Sequence, residues 1–349
     1  MRARGFSLVE FMIAMTIGLF MIAGLVYLIA ETSRSRAEME RSSRQIENGR
    51  YALDRMAEDL RHAGFFSEYS SVPAAGETGF PASLTAAAPC ASTIGVASPP
   101  TGLHAGMPLA IQGYDGGASV PSDLTCLLAA DYQPNTDILV VRRASTTTIA
   151  KTDPAVIADQ PYIQTTSLDY KLDVGTNVAT FILTFPSANT TATVAAPLHR
   201  HMVRIYFVSK CNVPASGATC NGVTDDGGTP VPTLKMLELG PGPAFQKLAI
   251  AEGIEQLQFD FGIDTTGDGV ADSISMCDST TPCTATDWSN VVAVQVNLVA
   301  RNTERSPGYA DDKTYSLGLK GYTAATNDAY RRHAYTMMVR LNNIAMRRE

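Results

Sequence analysis

From Phe11 to Ala30 the chain reads FMIAMTIGLFMIAGLVYLIA, twenty residues without a charge. At about 1.5 Å rise per residue, a helix of that length spans roughly 30 Å, the thickness of a bilayer's hydrocarbon core. A cleaved secretory signal has a shorter apolar region followed by small residues at the cut, and no such site follows Ala30. The sequence instead continues as ETSRSRAEMERSSRQIENGRYALDRMAEDLRHAG, free of Pro and rich in helix formers. This predicts a retained membrane segment that runs into an amphipathic helix. Arg2 and Arg4 precede the run and few basic residues closely flank its far end. That asymmetry puts the N-terminus in the cytoplasm and the rest of the chain outside the inner membrane.

One carboxylate, Glu10, stands directly before the run and five residues after Gly5. A carboxylate near a bilayer is costly unless paired, which makes it a functional candidate. The stretch Gly5-Phe6-Ser7-Leu8-Val9-Glu10, behind a basic leader and ahead of an uninterrupted apolar span, resembles the processing site of type IV prepilins. The resemblance implies that a prepilin peptidase cuts after Gly5 and methylates the new terminal amine of Phe6. It also implies that Glu10 pairs with the terminal ammonium of a neighbouring subunit, setting the register of stacked helices. An interfacial Glu that merely meets head groups would leave the Gly5-Phe6 pair unexplained.

Met39, Ile46, Leu53 and Leu60 recur every seven residues, with Met56 and Ala63 on the same face. This predicts a stripe lying on a sheet, with Arg, Glu and Asp turned outward. A coiled coil fits less well, because few heptads persist and Gly49 interrupts them. His62-Ala63-Gly64 supplies the stop, so the helix from Phe6 to Ala63 spans on the order of 85 Å. Major pilins often carry a helix-bending Pro in the apolar half, about where Tyr27 stands here.

The remainder reads as β. Apolar, β-branched runs lie at 137–143, 180–185, 201–209, 234–239, 254–263, 291–301 and 334–341. In the sixth, Val292, Val294, Val296 and Leu298 share one face, as in a half-buried antiparallel strand. Gly, Pro, Ser and Ala-rich stretches, such as 72–89 and 213–232, read as loops between them. The fold class is therefore α+β, a long N-terminal helix packed on a large antiparallel β-rich domain. Its division is a leader at 1–5, a transmembrane helix at 6–30, an amphipathic continuation at 31–64 and a β-rich globular domain at 65–349.

Six cysteines fit an oxidising compartment. The nearest-neighbour pairing joins Cys90 to Cys126, Cys211 to Cys220 and Cys277 to Cys283, each closing one loop; other pairings stay open. Zinc fails on spacing, since there is no CxxC and His199-x-His201 has no cysteine closer than Cys211. Those two His read as ordinary surface residues. There is no HExxH, GxSxG or phosphate-binding glycine loop, so the chain reads as a non-enzyme. A formal charge of −7 argues against nonspecific nucleic-acid binding.

One constellation carries chemistry. Asp264, Asp268 and Asp272, with Gly269 and the Val270 carbonyl, resemble a DxDxDG calcium loop. Thr266 and Ser275 depart from it at two ligand positions, and Asp278 or Asp287 are candidates to complete a shell. A hairpin turn rich in Asp and Gly explains most of the same letters.

Beyond the N-terminus, the late run WSNVVAVQVNLVAR and the final RRHAYTMMVRL resemble minor pilins of the PilW type. The implied role is structural: a priming complex with other minor pilins and the major pilin, joined through the N-terminal helix. It stands at the pilus tip on the cell surface and supports a tip adhesin, adhesion or twitching motility. A pseudopilin of type II secretion and a membrane-anchored periplasmic enzyme or receptor are the alternatives. If Gly5 marks the cut, Gly5→Val leaves full-length precursor in the membrane, while the unsubstituted chain matures to begin at Phe6. Intact-mass measurement of both decides it.

Overall fold

A computed structural model describes residues 7–70, 88–186, 193–325 and 328–348. Gly5 and Phe6, and most of the loop at 72–89, lie outside them. Helix α1 runs unbroken from Leu8 to Arg61, 54 residues that pass through Tyr27 without interruption. Near its end the His62 Nδ1 lies 2.8 Å from the Glu58 carbonyl. Gly64 takes a φ of 71° and donates its N–H to the Arg142 carbonyl at 3.0 Å. A residue without Cβ suits this left-handed turn, which carries the chain off the helix and onto a sheet.

Two antiparallel sheets make up most of the domain. The first contains β1 (Ile111–Tyr114), β2 (Ile138–Ile149), β3 (Pro161–Thr165), β4 (Tyr170–Val174), β5 (Leu198–Ser209), β6 (Thr233–Leu239) and β7 (Phe245–Glu252). Their order is β7-β6-β5-β2-β1, with β3 added along β5 and β4 along β3. The second contains β8 (Ile254–Ile263), β9 (Ser273–Ser275), β10 (Val291–Arg301) and β11 (Arg332–Arg340), in the order β9-β8-β10-β11. The chain passes from one sheet to the other through Gly253 alone, at a φ of 78°. A Cβ there would meet the Arg301 carbonyl oxygen at 2.6 Å, so this corner requires glycine.

The central strands of the first sheet, β2, β5 and β6, are buried on both faces over most of their length, which explains their near-continuous apolar sequences. Leu139 and Val141 of β2 face a core shared with α1 and the second sheet, while Ile138 and Val140 face a second core with Phe207 and Tyr132. Seven-residue spacing does place Leu53 and Leu60 inward, and Met56 and Ala63 beside them. It fails further up the helix, where Met39 is 66% and Ile46 41% exposed. The buried lane there is offset by one residue, through Gln45, Gly49 and Ala52. Gly49 leaves a seat for the Tyr335 ring, which a Cβ would meet at 2.5 Å. Gln45 reaches across with its Nε2 to the carbonyls of Ala300 (2.6 Å) and Arg331 (3.1 Å).

Three further expectations are revised. His199 and His201 are buried, not on the surface; they lie against Phe65 and Phe66, with ring centroids 6.2 Å apart in each pair. Burial pushes the His201 imidazole down to about 3, helped by the neighbouring charges of Arg142 and His104. The run at 180–185 is not one strand. Lys151 Nζ takes the Phe181 carbonyl at 2.9 Å, and only Thr184–Pro186 pairs, with Thr193–Ala195. Finally, Asp59 faces inward rather than toward solvent. The three cysteine pairs joined are 90–126, 211–220 and 277–283.

Asp59 is fully buried on the inner face of α1. Its Oδ1 accepts from Arg143 Nη2 at 2.9 Å and Arg204 Nη1 at 2.5 Å, and its Oδ2 accepts from the Tyr206 hydroxyl. Burial pushes this carboxyl up, but the hydrogen bonds and charge of Arg204, with Tyr206 and Arg143, outweigh it and hold it below the usual carboxylate range. Its contribution is therefore complete above the ordinary carboxylate pKa of about 4 and fades as pH falls through its lower folded value. Asp59→Ala leaves two guanidinium groups without their shared anion. We expect a loss of about 3–5 kcal/mol, read by urea denaturation of the chain in detergent at pH 7. A change within about 0.5 kcal/mol, the scale of an ordinary surface substitution, would contradict this assignment.

Candidate functional site

Among the described residues, nothing buries the apolar window in the first half of α1. Phe11, Leu19, Phe20 and Met21 are exposed, and the helix is apolar on every side from Phe11 to Ala30. Such a surface has no place in water; it belongs in a membrane or against other helices. Thr16 satisfies its hydroxyl by donating to the Ile13 carbonyl at 2.9 Å, so it leaves no free donor in the apolar zone. Glu10 lies in the first turn of the helix, exposed.

The helix enters the domain through a collar of charges. Glu38 accepts from the Ser306 hydroxyl at 2.9 Å and meets Arg41 at 3.2 Å and Arg331 at 3.4 Å. Arg41 also reaches Glu304 at 2.6 Å. Arg331, just before β11, and Arg332, its first residue, thus divide. Arg331 faces the helix, while Arg332 is buried and holds Glu255 (2.5 Å), Asp311 (3.3 Å) and Asp328. Sequence reading found this pair but not its split roles, which the alternation of side chains along a strand accounts for.

The Asp-rich loop follows β8. Asp264 is buried; its Oδ1 accepts from the Gly267 N–H at 2.6 Å and its Oδ2 from Gly269 at 3.0 Å, with Arg348 Nη1 3.5 Å away. Burial pushes its carboxyl up, yet the two amides and Arg348 hold it below the usual range. Asp272 Oδ2 accepts from the Thr265 hydroxyl and N–H and from the Thr266 N–H, which likewise holds it low. Asp268 Oδ1 accepts from the Val270 N–H at 2.9 Å. All three carboxylates therefore shape the turn. Among the described residues, the group of potential ligands gathered within 4.8 Å is Cys211, Cys220 and Asp225, not these three; its two cysteines are disulfide-bonded. Asp278 caps Thr280 and Thr281, and Asp287 closes a capping box with Thr284.

Two family models match parts of the chain. Residues 1–26 match the prokaryotic N-terminal methylation motif. Residues 220–343 match the type IV pilus-assembly protein W, a stretch that takes in β6, β7 and the entire second sheet. No curated protein matches significantly. Among solved structures, a type IV-like pilin from Thermus thermophilus is 11% identical, with 60% of this chain and 78% of that one covered at a TM-score of 0.26.

Calcium at the Asp-rich loop is open to a direct measurement. Binding to the folded state raises stability by mass action. A true site gives a higher Tm in calcium than in chelator, and Asp268→Ala removes the difference. Equal melting in the two conditions assigns the carboxylates to the turn alone.

Proposed function

We propose that the chain, recognised as a PilW-type minor pilin of a type IV pilus, acts by starting filaments rather than by catalysis. The methylation motif implies processing by prepilin peptidase and assembly with other pilins. Pilin families are structural. The motif and the apolar helix together support membrane anchoring and association with a pilus. Our finer reading is a priming complex with other minor pilins, carried to the filament tip, where the β-rich domain supports a larger adhesin.

The observation that carries this reading is the bare half of α1 with Glu10 in its first turn. A subunit in lipid presents that surface to acyl chains. A subunit in a filament presents it to neighbouring helices, where an unpaired carboxylate would be costly. Pairing with a neighbour's terminal ammonium removes the cost and fixes the axial register of the two helices.

Glu10 should therefore matter only when subunits meet. Glu10→Ala spares membrane insertion and cleavage but abolishes piliation, and Glu10→Gln fails too, because an amide cannot balance an ammonium. The measurement is surface piliation in cells carrying each variant as the sole copy, beside membrane levels of the subunit. Normal piliation with Glu10→Ala at normal levels would remove the central contact of this reading.

A further inference from the structure

Between the end of the apolar run and the body of the domain lies a groove of about 550 Å³, bounded by the helix from Glu31 to Arg41 and by the turn at 305–309. Its walls include four arginines, Arg34, Arg41, Arg305 and Arg331, against two glutamates, Glu31 and Glu38. The arginines are not equivalent. Arg41 and Arg331 are engaged with Glu38, and Arg41 with Glu304 as well. Among the described residues neither Arg34 nor Arg305 has a carboxylate partner; Arg305 lies 5.7 Å from the centroid of the Tyr330 ring. Arg34 stands four residues past Ala30, about 6 Å along the helix. The fold brings Arg305 to the same groove from a turn distant in sequence. Two arginines without a carboxylate partner among the described residues, one on the anchor and one on the domain, thus line one groove just past the end of the apolar run.

We propose that this groove is a binding site for the phosphodiester head group of an anionic phospholipid whose tails lie along Phe11–Ala30. A guanidinium presents paired N–H donors that match phosphate oxygens. The ion pairs of Glu38 with Arg41 and Arg331 hold the walls in place, which leaves Arg34 and Arg305, neither of them neutralised by a carboxylate among the described residues, to meet the ligand. The bound lipid stands the domain upright on the membrane, and it must be released when the subunit leaves for a filament. This inference rests on the membrane-anchored reading above, and its test separates the two.

The full chain is reconstituted in vesicles of equal phosphatidylglycerol and phosphatidylcholine, checked for flotation, then released in mild detergent for native mass spectrometry. Phosphatidylglycerol is expected to be retained several-fold over phosphatidylcholine. Arg34→Gln and Arg305→Gln each reduce that preference several-fold, while Arg61→Gln, at the far end of the same helix, leaves it unchanged. A chain that floats but retains both lipids equally overturns the site. So does loss of preference in Arg34→Gln alone, because a lone juxtamembrane arginine would then explain it. Equal uptake of free glycerol phosphate makes the groove a soluble-anion site and also overturns the lipid assignment. Failure to float with the vesicles removes the anchor reading and the site together.

Discussion

A single buried carboxylate ties the helix to the first sheet. Asp59 is the anion that Arg143 of β2 and Arg204 of β5 share, with Tyr206 completing its shell. Arg204 passes the charge on to Glu238 of β6 at 2.9 Å, so one interaction on α1 spans three adjacent strands. Buried ion pairs contribute little net stability over a well-packed apolar alternative, but they tolerate few arrangements. The arrangement here fixes the rotation of α1 about its axis, and with it the lane that faces the core.

Rotation and height are then set at separate points. Gly49 receives the Tyr335 ring and Gln45 takes carbonyls from the ends of β10 and β11. Glu38 and Arg41 grip the turn at 304–306. At the other end, Asn343 Nδ2 donates to the Ala63 carbonyl at 3.2 Å, just beyond the helix. A helix held at these points behaves as a rigid lever, so the direction of its bare half is dictated by the β domain. In a filament, the domain's position follows from the packing of that half.

Much of this was legible in the letters. The strands 254–263 and 291–301 fall where their apolar patterns put them, because both are bounded by Gly, Asp or Asn turns and buried along their length. The strands β1, β3, β4 and β9, at three to five residues each, have patterns too brief to stand out, and the eight-residue β7 escapes because its apolar run is short and only one of its residues is buried. The helix lane was misread by one position in its upper part. Apolar letters mark contact only where there is something to contact, and Met39 and Ile46 point away from the domain. Asp59 was placed on the wrong side because charge usually marks solvent, and its cationic partners lie 84 and 145 residues away in sequence. His199 and His201 were misjudged for a similar reason, since the rings that cover them come from the segment just after α1. The N-terminal motif needed no fold to be read, for it is addressed to a peptidase and a membrane.

The placement of β10, β11 and Asn343 has a consequence for the order in which contacts form. The helix comes early in the chain, yet the second sheet, on which its upper lane rests, is completed only by β11 at Arg332–Arg340. The lower lane finds partners as early as β2 and β5, where Arg143 and Arg204 meet Asp59, but the upper lane at Gln45 and Gly49 has its partners in Ala300, Arg331 and Tyr335. Contacts this remote in sequence form late. The upper part of the docked helix is therefore held in place only once the last strand has joined the second sheet. A chain that stops before β11 keeps the apolar helix but lacks Tyr335, the ring that packs on Gly49 and so aims the helix.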